Sequence, residues 1–333
     1  ASSSCSFAAL AAARSLVLKG AHFVAAVAFM FASTNLVIEL GILVLIFLGW
    51  QFVAAEIVGG IVMIVVSASL IRLTYPQRWL EAAREKVEAE AAGDDQDFDW
   101  KDRITSRHGW RRVGHNFVSD WKMVWEEIVI GFTVAGFVAV FVPDSFWSAI
   151  FLTEWAGQIP EWLMALENAM VAPMVAAATF IGSMGNIPLA TILNANGVLF
   201  AGIMGFIYSD LVVPPLVAIN AKYYGLKVAL YIAAVMYVSI VITALVLHGG
   251  FGLLGLTPES RRVVSEVARF EVDYTFWLNL AMVALAGWLV WMHRRFLAEE
   301  EQEPEPVGGL TVKRAFVYLA LVLVVGGAVA WLG

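Results

Sequence analysis

Residues 180–190 read Phe180-Ile-Gly-Ser-Met-Gly-Asn-Ile-Pro-Leu-Ala190, and this stretch, continued to Pro215, decides the fold of the chain. Its flanks are apolar enough for a bilayer, yet it contains glycines, prolines, amides and an acid. In hydrocarbon every backbone N–H and C=O needs a partner, and Gly182, Gly185 and Pro188 lie too close together for an unbroken helix. Because broken helices line cavities in transporters, the stretch predicts a binding site. A kinked structural helix that packs through its glycines is the alternative.

The composition is that of an integral membrane protein. Of the 333 residues, 60% are hydrophobic and only 15% are charged, whereas soluble domains are about half apolar and about a quarter charged. Apolar runs of about 20 residues recur, so the membrane domain is nearly the whole molecule. No basic tract indicates nucleic-acid binding. Cys5 is the only cysteine, which excludes an intramolecular disulfide and a metal-binding cysteine cluster.

The apolar pattern divides the chain into five segments. They are a first transmembrane repeat at 1–73, a cytoplasmic charged insert at 74–122, a second transmembrane repeat with preceding helices at 123–248, an external loop at 249–275 and two C-terminal transmembrane helices at 276–333. Residues 21–49 exceed the length that a hydrocarbon core of about 30 Å requires, which favours one broken helix or two half-helices over one straight span. Arg14 and Lys19 follow the first apolar residues instead of preceding them, which excludes a signal peptide and suggests further helices before Ala1.

An internal repeat relates the two halves of the membrane domain. A shift of 177 positions places Ser6 on Ser183 and Gly20 on Gly197. The same shift produces six identities within residues 6–29, including the glycine that breaks each helix. In both halves a few polar residues follow, and then an uninterrupted apolar segment long enough to cross the membrane. We therefore expect an all-α polytopic membrane protein built from inverted-topology repeats with broken or re-entrant helices.

The inversion is predicted from the distribution of positive charge. Residues 72–122 contain ten lysines and arginines and residues 143–160 contain none, so the insert is placed in the cytoplasm, together with a second inner loop at 294–313. The span predicted at 50–73 then runs inward, while its counterpart at 226–248 runs outward. Inverted repeats place the binding site near the midplane of the bilayer, where the repeats meet.

Four acids fall in apolar surroundings: Glu39, Glu56, Glu167 and Asp210. A charge at the bilayer centre costs about 2.5–3.5 kcal/mol, so such acids usually face a cavity or a partner. Glu39 and Asp210 lie in the two broken elements, and we expect them to bind a proton or the substrate. Glu56 either shares this role or pairs with Arg14. Glu167, together with Asn168, is expected to form a hydrogen bond to another helix.

Amides and histidines leave alternatives open. The side chains of Asn35, Asn186 and Asn194 either offer carbonyl oxygens to a ligand or cap the half-helices. His108 and His115 either ligate a metal or lie at the headgroup boundary, which their basic, tryptophan-rich surroundings favour.

The central motif resembles a known family. The tract Gly182-Ser-Met-Gly-Asn-Ile-Pro-Leu-Ala190 is followed by Phe206-Ile-Tyr-Ser-Asp210 and by Lys222-Tyr-Tyr-Gly225-Leu. This pattern resembles the bacterial predicted-permease family, which includes the efflux permeases for trivalent organoarsenicals. The segments Ser4-Cys5-Ser6 and Ser33-Thr-Asn35-Leu-Val-Ile-Glu39 look like the first repeat of that family.

The resemblance implies a permease of the bacterial cytoplasmic membrane that exports a small solute, with a trivalent arsenical or a related soft metalloid as substrate. The acids in the broken elements favour a proton as the coupling ion. The family usually has two cysteines where this chain has Ser3 and Cys5. Since trivalent arsenicals seek soft ligands, Cys5 and Met184 are the expected soft contacts. The predicted substrate-binding or coupling residues are Cys5, Ser6, Asn35, Glu39, Gly182, Ser183, Met184, Gly185, Asn186, Pro188 and Asp210.

Other functional classes lack their signatures. An intramembrane protease requires a motif such as His-Glu-x-x-His, Gly-x-Ser-x-Gly or Gly-x-Gly-Asp, and the sequence has none of them. A permease or channel for another small solute or a metal ion is the closer alternative. No catalytic residue, resident metal or cofactor is predicted, and the expected partners are the small-molecule or metalloid substrate and the lipid bilayer.

Overall fold

The structure, a computed structural model, describes residues 6–74, 141–179, 183–258 and 274–299, with scattered positions at 79–137 and 318–322. It is all-α, with no β-strand in these parts of the chain. The chain forms two compact units. The first contains Ala1–Gly93 and Gly131–Val267, and the second contains Asp94–Ile130 and Ala268–Gly333.

The first unit begins with four helices. They are α1 (Ser6–Leu18), α2 (Phe23–Asn35), α3 (Ile38–Phe47) and α4 (Trp50–Thr74). Gly20 has a φ of +87°, a left-handed conformation in which glycine avoids the steric clash of a Cβ, and it ends α1 where the sequence predicts a break. The expected pair of half-helices over 21–49 is confirmed, since α2 and α3 are separated by a two-residue step.

The second half of this unit repeats the pattern. After α5 (Asp144–Ile150) and a short 3₁₀ helix at Thr153–Trp155 follow α6 (Glu161–Thr179), α7 (Ser183–Ala195), α8 (Phe200–Ile207), a 3₁₀ turn at Tyr208–Val212, α9 (Pro214–Tyr224) and α10 (Leu226–Leu253). In the second unit, α11 spans Tyr274–Glu299 and contains the predicted span that begins at 276.

The central stretch is helical at two of the residues where the sequence predicts a break. Helix α7 runs without interruption through Gly185 and Pro188, so the expectation of a broken helix there is wrong. Pro188 lies early in α7, where its missing N–H removes a single helical hydrogen bond. The helix ends instead at Gly197, whose φ is +81°. There the N–H of Val198 donates to the carbonyl of Leu193, a bond typical of glycine-terminated helices.

The internal repeat is confirmed element by element. Helices α1 and α7 begin at the matched serines, Ser6 and Ser183, and α2 and α8 begin at the matched Phe23 and Phe200. The pair α2–α3 is bent by 44°, and its counterpart, α8 with the 3₁₀ turn and α9, is bent by 40°. Packing follows the same symmetry, because α1 contacts α9, α7 contacts α3, and α4 contacts α10. The first helix of each repeat thus packs against the third helix of the other. Their orientation in the bilayer stays a prediction.

Several helices of the first unit can cross a membrane. Within the described residues, α4, α6 and α10 are long and apolar enough, and each bent pair counts as one further span, which gives up to five. Helix α10 continues to Leu253, through Gly249 and Gly250, into the first residues of the predicted external loop. The insert predicted at 74–122 and the second of the two helices predicted within 276–333 lie mostly outside the described residues.

Candidate functional site

The glutamate of α4 is buried without a hydrogen-bond partner. Glu56 is 3% exposed, and neither of its carboxyl oxygens has such a partner among the described residues. Glu56 is therefore not hydrogen-bonded to Arg14, whose guanidinium lies 4.9 Å from the ring centre of Tyr223. Instead, Glu56 interacts electrostatically with the carboxyl group of Asp210. A buried acid in this state has a strong requirement for a proton, a cation or a donor group.

Asp210 belongs to the 3₁₀ turn of the second repeat and is fully buried. The hydroxyl of Ser183, at the start of α7, donates a hydrogen bond of 2.8 Å to Oδ2 of Asp210. This contact brings together two residues that the sequence assigns to the site. It also fixes the start of α7 against the turn between α8 and α9.

Tyr208 links the turn that contains Asp210 to the helix that contains Glu56. Its hydroxyl donates to the backbone carbonyl oxygens of Ala55 at 3.0 Å and of Glu56 at 3.2 Å. The approach depends on Gly59, because a Cβ at that position would lie 2.2 Å from the Tyr208 hydroxyl oxygen. Tyr208 is two residues from Asp210, so this contact holds the turn of the second repeat beside Glu56 of the first.

A cavity of about 500 Å³ adjoins Glu56. Its polar lining is Asn35 and Glu56, and the rest is apolar or glycine: Leu36, Val37, Ile38, Gly41, Ile42, Leu45, Val53 and Ile57. Asn35 ends α2, is 1% exposed, and donates from Nδ2 to the carbonyl of Phe31 at 3.2 Å. Its Oδ1 has no hydrogen-bond partner among the described residues. The cavity therefore combines apolar walls with two polar groups, which is typical of small-molecule sites.

Comparison with known proteins assigns the chain to a family. A family model described as "Predicted permease" matches residues 1–249. The chain belongs to this permease family. A Mycobacterium tuberculosis protein named "Putative permease" is 40% identical to it over 301 residues, which are 87% of this chain and 73% of that protein. No solved structure gives a significant match.

Family membership agrees with the site. A permease moves a small molecule across a membrane, and the described helices form a multi-pass, all-α membrane protein. Membership supports a transporter over an enzyme. The cavity of this permease lies between α2, α3 and α4, at one of the two broken helix pairs that the sequence predicts.

Asn186 is a second buried amide of the permease. It is fully buried, and neither Oδ1 nor Nδ2 has a hydrogen-bond partner among the described residues. It lies three residues after Ser183 in α7 and so shares a helix face with the serine that binds Asp210. A buried amide needs a hydrogen-bond partner, and a ligand, a water molecule or a residue outside the described part of the chain can supply it.

Some predicted site residues lie outside the part of the chain that the structure describes. Cys5 and Gly182 fall among residues that the structure does not describe, as do the side chains of Ser6, Glu39 and Met184. Gly185 and Pro188 are interior residues of α7. The site assignment of all these residues stays a prediction.

Asn168 makes the interhelical contacts that the sequence predicts for this pair. It also donates to Oε2 of Glu167 at 2.7 Å, but both residues are on α6, so that bond does not join two helices. Asn168 itself makes the longer-range contacts, because it donates to the carbonyl of Phe151 and accepts from the N–H of Leu199 at the start of α8. The amide therefore anchors the second broken pair to α6.

Two important residues of the permease are missing from the sequence prediction. Tyr208 and Gly59 form the contact between the repeats, and neither was assigned to the site. The repeat itself contains a signal, because the shift of 177 places Tyr208 on Phe31. A hydroxyl added to an otherwise aromatic position, in a buried helix break, indicates a specific hydrogen bond.

Proposed function

We propose that this permease exports a small solute across the bacterial cytoplasmic membrane, that the solute is a trivalent organoarsenical or a related soft metalloid, and that a proton is the coupling ion. The observation that carries the proposal is the buried pair Glu56 and Asp210, one from each repeat.

The proton is favoured by the surroundings of the pair. Two negative charges buried this deeply repel each other, and a bound proton or cation relieves the repulsion. Because the two acids belong to different repeats, a movement of one repeat against the other changes the distance between them. Such a movement is how transporters of this architecture alternate their access. Proton binding is thereby linked to the conformational cycle.

The substrate class rests on the family resemblance and on chemistry. Trivalent arsenicals bind soft ligands, and Cys5 and Met184 supply them in the predicted site. The mostly apolar cavity beside Glu56 suits an organic substituent better than a fully hydrated ion. A permease for a metal cation is the alternative that the two carboxyl groups favour.

Transport in proteoliposomes tests the coupling. We expect the full-length permease to move methylarsonous acid at a rate that depends on an imposed pH gradient. Glu56→Gln and Asp210→Asn keep the shape of each side chain but cannot titrate, so either variant should insert normally and lose the response to the gradient. Glu154→Gln, at an exposed acid, is the matched control and should transport normally.

Two outcomes would contradict the proposal. If both carboxamide variants respond to the gradient as the wild type does, the acids are structural and the proton is not coupled through them. If the wild type transports Zn²⁺ or another divalent cation and no arsenical, the metal-ion alternative replaces the proposed substrate. Growth of a sensitive host on arsenicals, antimonials and metal salts gives an independent comparison.

A further inference from the structure

The cavity beside Glu56 has walls that reach the surface of the protein. Ile38 is 73% exposed, Ile57 is 53% exposed and Ile42 is 51% exposed. These residues belong to α3 and α4, that is, to a bent pair and a span that are apolar enough to cross a bilayer. Large apolar side chains exposed on such helices face hydrocarbon, since water contact would be unfavourable.

The inner end of the same cavity is polar. Asn35 and Glu56 lie there, each at least 97% buried. The Oδ1 of Asn35 and both carboxyl oxygens of Glu56 have no hydrogen-bond partner among the described residues. All three atoms can accept a hydrogen bond, and Nδ2 of Asn35 already donates within its own helix. Among the described residues no donor satisfies these acceptors, and a ligand can supply one.

From these two observations we infer that the cavity is a binding pocket that opens toward the hydrocarbon of the bilayer and takes an uncharged solute with an apolar body and a hydrogen-bond donor. The inference rests on the proposed transport function and specifies its substrate class. An ion is disfavoured because it would have to leave water to reach an opening lined by isoleucine. A purely apolar molecule is disfavoured because it leaves the acceptors of Asn35 and Glu56 unsatisfied.

The position of the opening is tested without any substrate. In a Cys5→Ser background, a nitroxide is attached at Ile42→Cys in the reconstituted full-length protein. We expect relaxation by oxygen, which partitions into lipid, and little relaxation by a water-soluble nickel chelate. Strong relaxation by the chelate would show an aqueous opening and overturn the inference.

The ligand class is tested with three probes of similar size. Benzyl alcohol has an apolar ring and a donor, toluene has no donor, and benzoate is an anion. We expect benzyl alcohol to shift the spectrum of the nitroxide at residue 42 with an affinity about tenfold above that of toluene, as one buried hydrogen bond allows. Benzoate should have no effect. Equal affinity for toluene, or preference for benzoate, would contradict the inference.

Two glycines provide a matched pair of variants. A Cβ at Gly41, in the cavity wall, or at Gly249, in α10 and away from the cavity, meets no atom within 4 Å. Gly41→Leu should fill the pocket and weaken benzyl alcohol binding about tenfold or more through the lost volume, whereas Gly249→Leu should bind as the wild type does. Equal binding in both variants would place the probe elsewhere.

Failure of the inference and failure of the proposed function are distinguishable. The probe experiments contain no arsenical and no proton gradient, so they concern only the pocket. If the pocket binds benzyl alcohol as expected but the wild type moves no arsenical, the proposed substrate is wrong and the pocket assignment stands. If arsenical transport is normal in Gly41→Leu, the transported solute does not use this pocket.

Discussion

Tyr208 uses one hydroxyl group to hold the acid-bearing segments of both repeats together. Its ring is fully buried, and its hydroxyl bonds the carbonyls of Ala55 and Glu56 in α4. Gly59 leaves space for the hydroxyl because it has no Cβ. The side chain of Leu247, from α10, packs against the same position. At the scale of single residues, the site thus depends on one aromatic hydroxyl and on the absence of a Cβ opposite it.

We expect Tyr208→Phe to lower the free energy of unfolding by about 0.5–1.5 kcal/mol, which is the net contribution of a buried hydrogen bond. The ring still fills its space, so folding should survive while coupled transport slows. Tyr237→Phe is the control, because that hydroxyl donates to the Met170 carbonyl at an exposed position. Thermal unfolding in detergent and transport rates would measure both. An equal loss of stability in the two variants would argue against a special role for Tyr208.

At the scale of elements, the sequence predicts that each repeat contains a bent pair of helices, but it predicts the residues at which the helices end only in part. Gly20 and Gly197 matched under the repeat, and both have positive φ angles. Pro188 is tolerated inside α7 although the sequence predicts a break there, because a proline near the start of a helix removes only a single hydrogen bond. The sequence favours Glu39 over Glu56 because it cannot show which residue of another helix lies opposite. That information resides in contacts such as Tyr208 with α4.

The helix ends provide a test of the repeat. Gly20→Ala and Gly197→Ala should each destabilise the protein by about 1–2 kcal/mol, because a Cβ is strained at positive φ. Neither added Cβ meets an atom within 4 Å, so the loss would be conformational and not steric. Asn at either position should lose less, since it tolerates the left-handed region. Gly249→Ala, inside α10, should be neutral or stabilising. Unfolding midpoints that fail to separate these variants would contradict the conformational reason.

At the scale of the whole molecule, a symmetric scaffold holds an asymmetric site. The shift of 177 places Asp210 on Ser33, Glu56 on Ala233 and Asn186 on Ala9. Each repeat therefore contributes groups that the other lacks. Glu56 and Asp210 lie close enough to interact only because the two repeats pack against each other. The sequence predicted the scaffold from matched glycines and serines. It could not predict the pairing of the acids, which depends on how α4 and the 3₁₀ turn pack.

The topology of the molecule has a direct measurement. In a Cys5→Ser background, single cysteines introduced at Gly93 and Glu303 should resist a membrane-impermeant maleimide in intact cells and react once the cells are permeabilised. The reason is the positive charge around both segments, which retains them in the cytoplasm. Reaction of both cysteines in intact cells would reverse the predicted orientation.

The exchange of partners between repeats also governs how the chain can be made. Helix α1 contacts α9, and α3 contacts α7, so elements synthesised early are completed by elements that leave the ribosome much later. Contacts of such long sequence separation form slowly, because the entropy of closing a large loop is lost before the contacts contribute favourable free energy. We therefore expect the contact surfaces of α1 and α3 to be covered by lipid or chaperones until the second half has been synthesised. On this basis the two halves of this permease should assemble late, after α7 and α9 have left the ribosome.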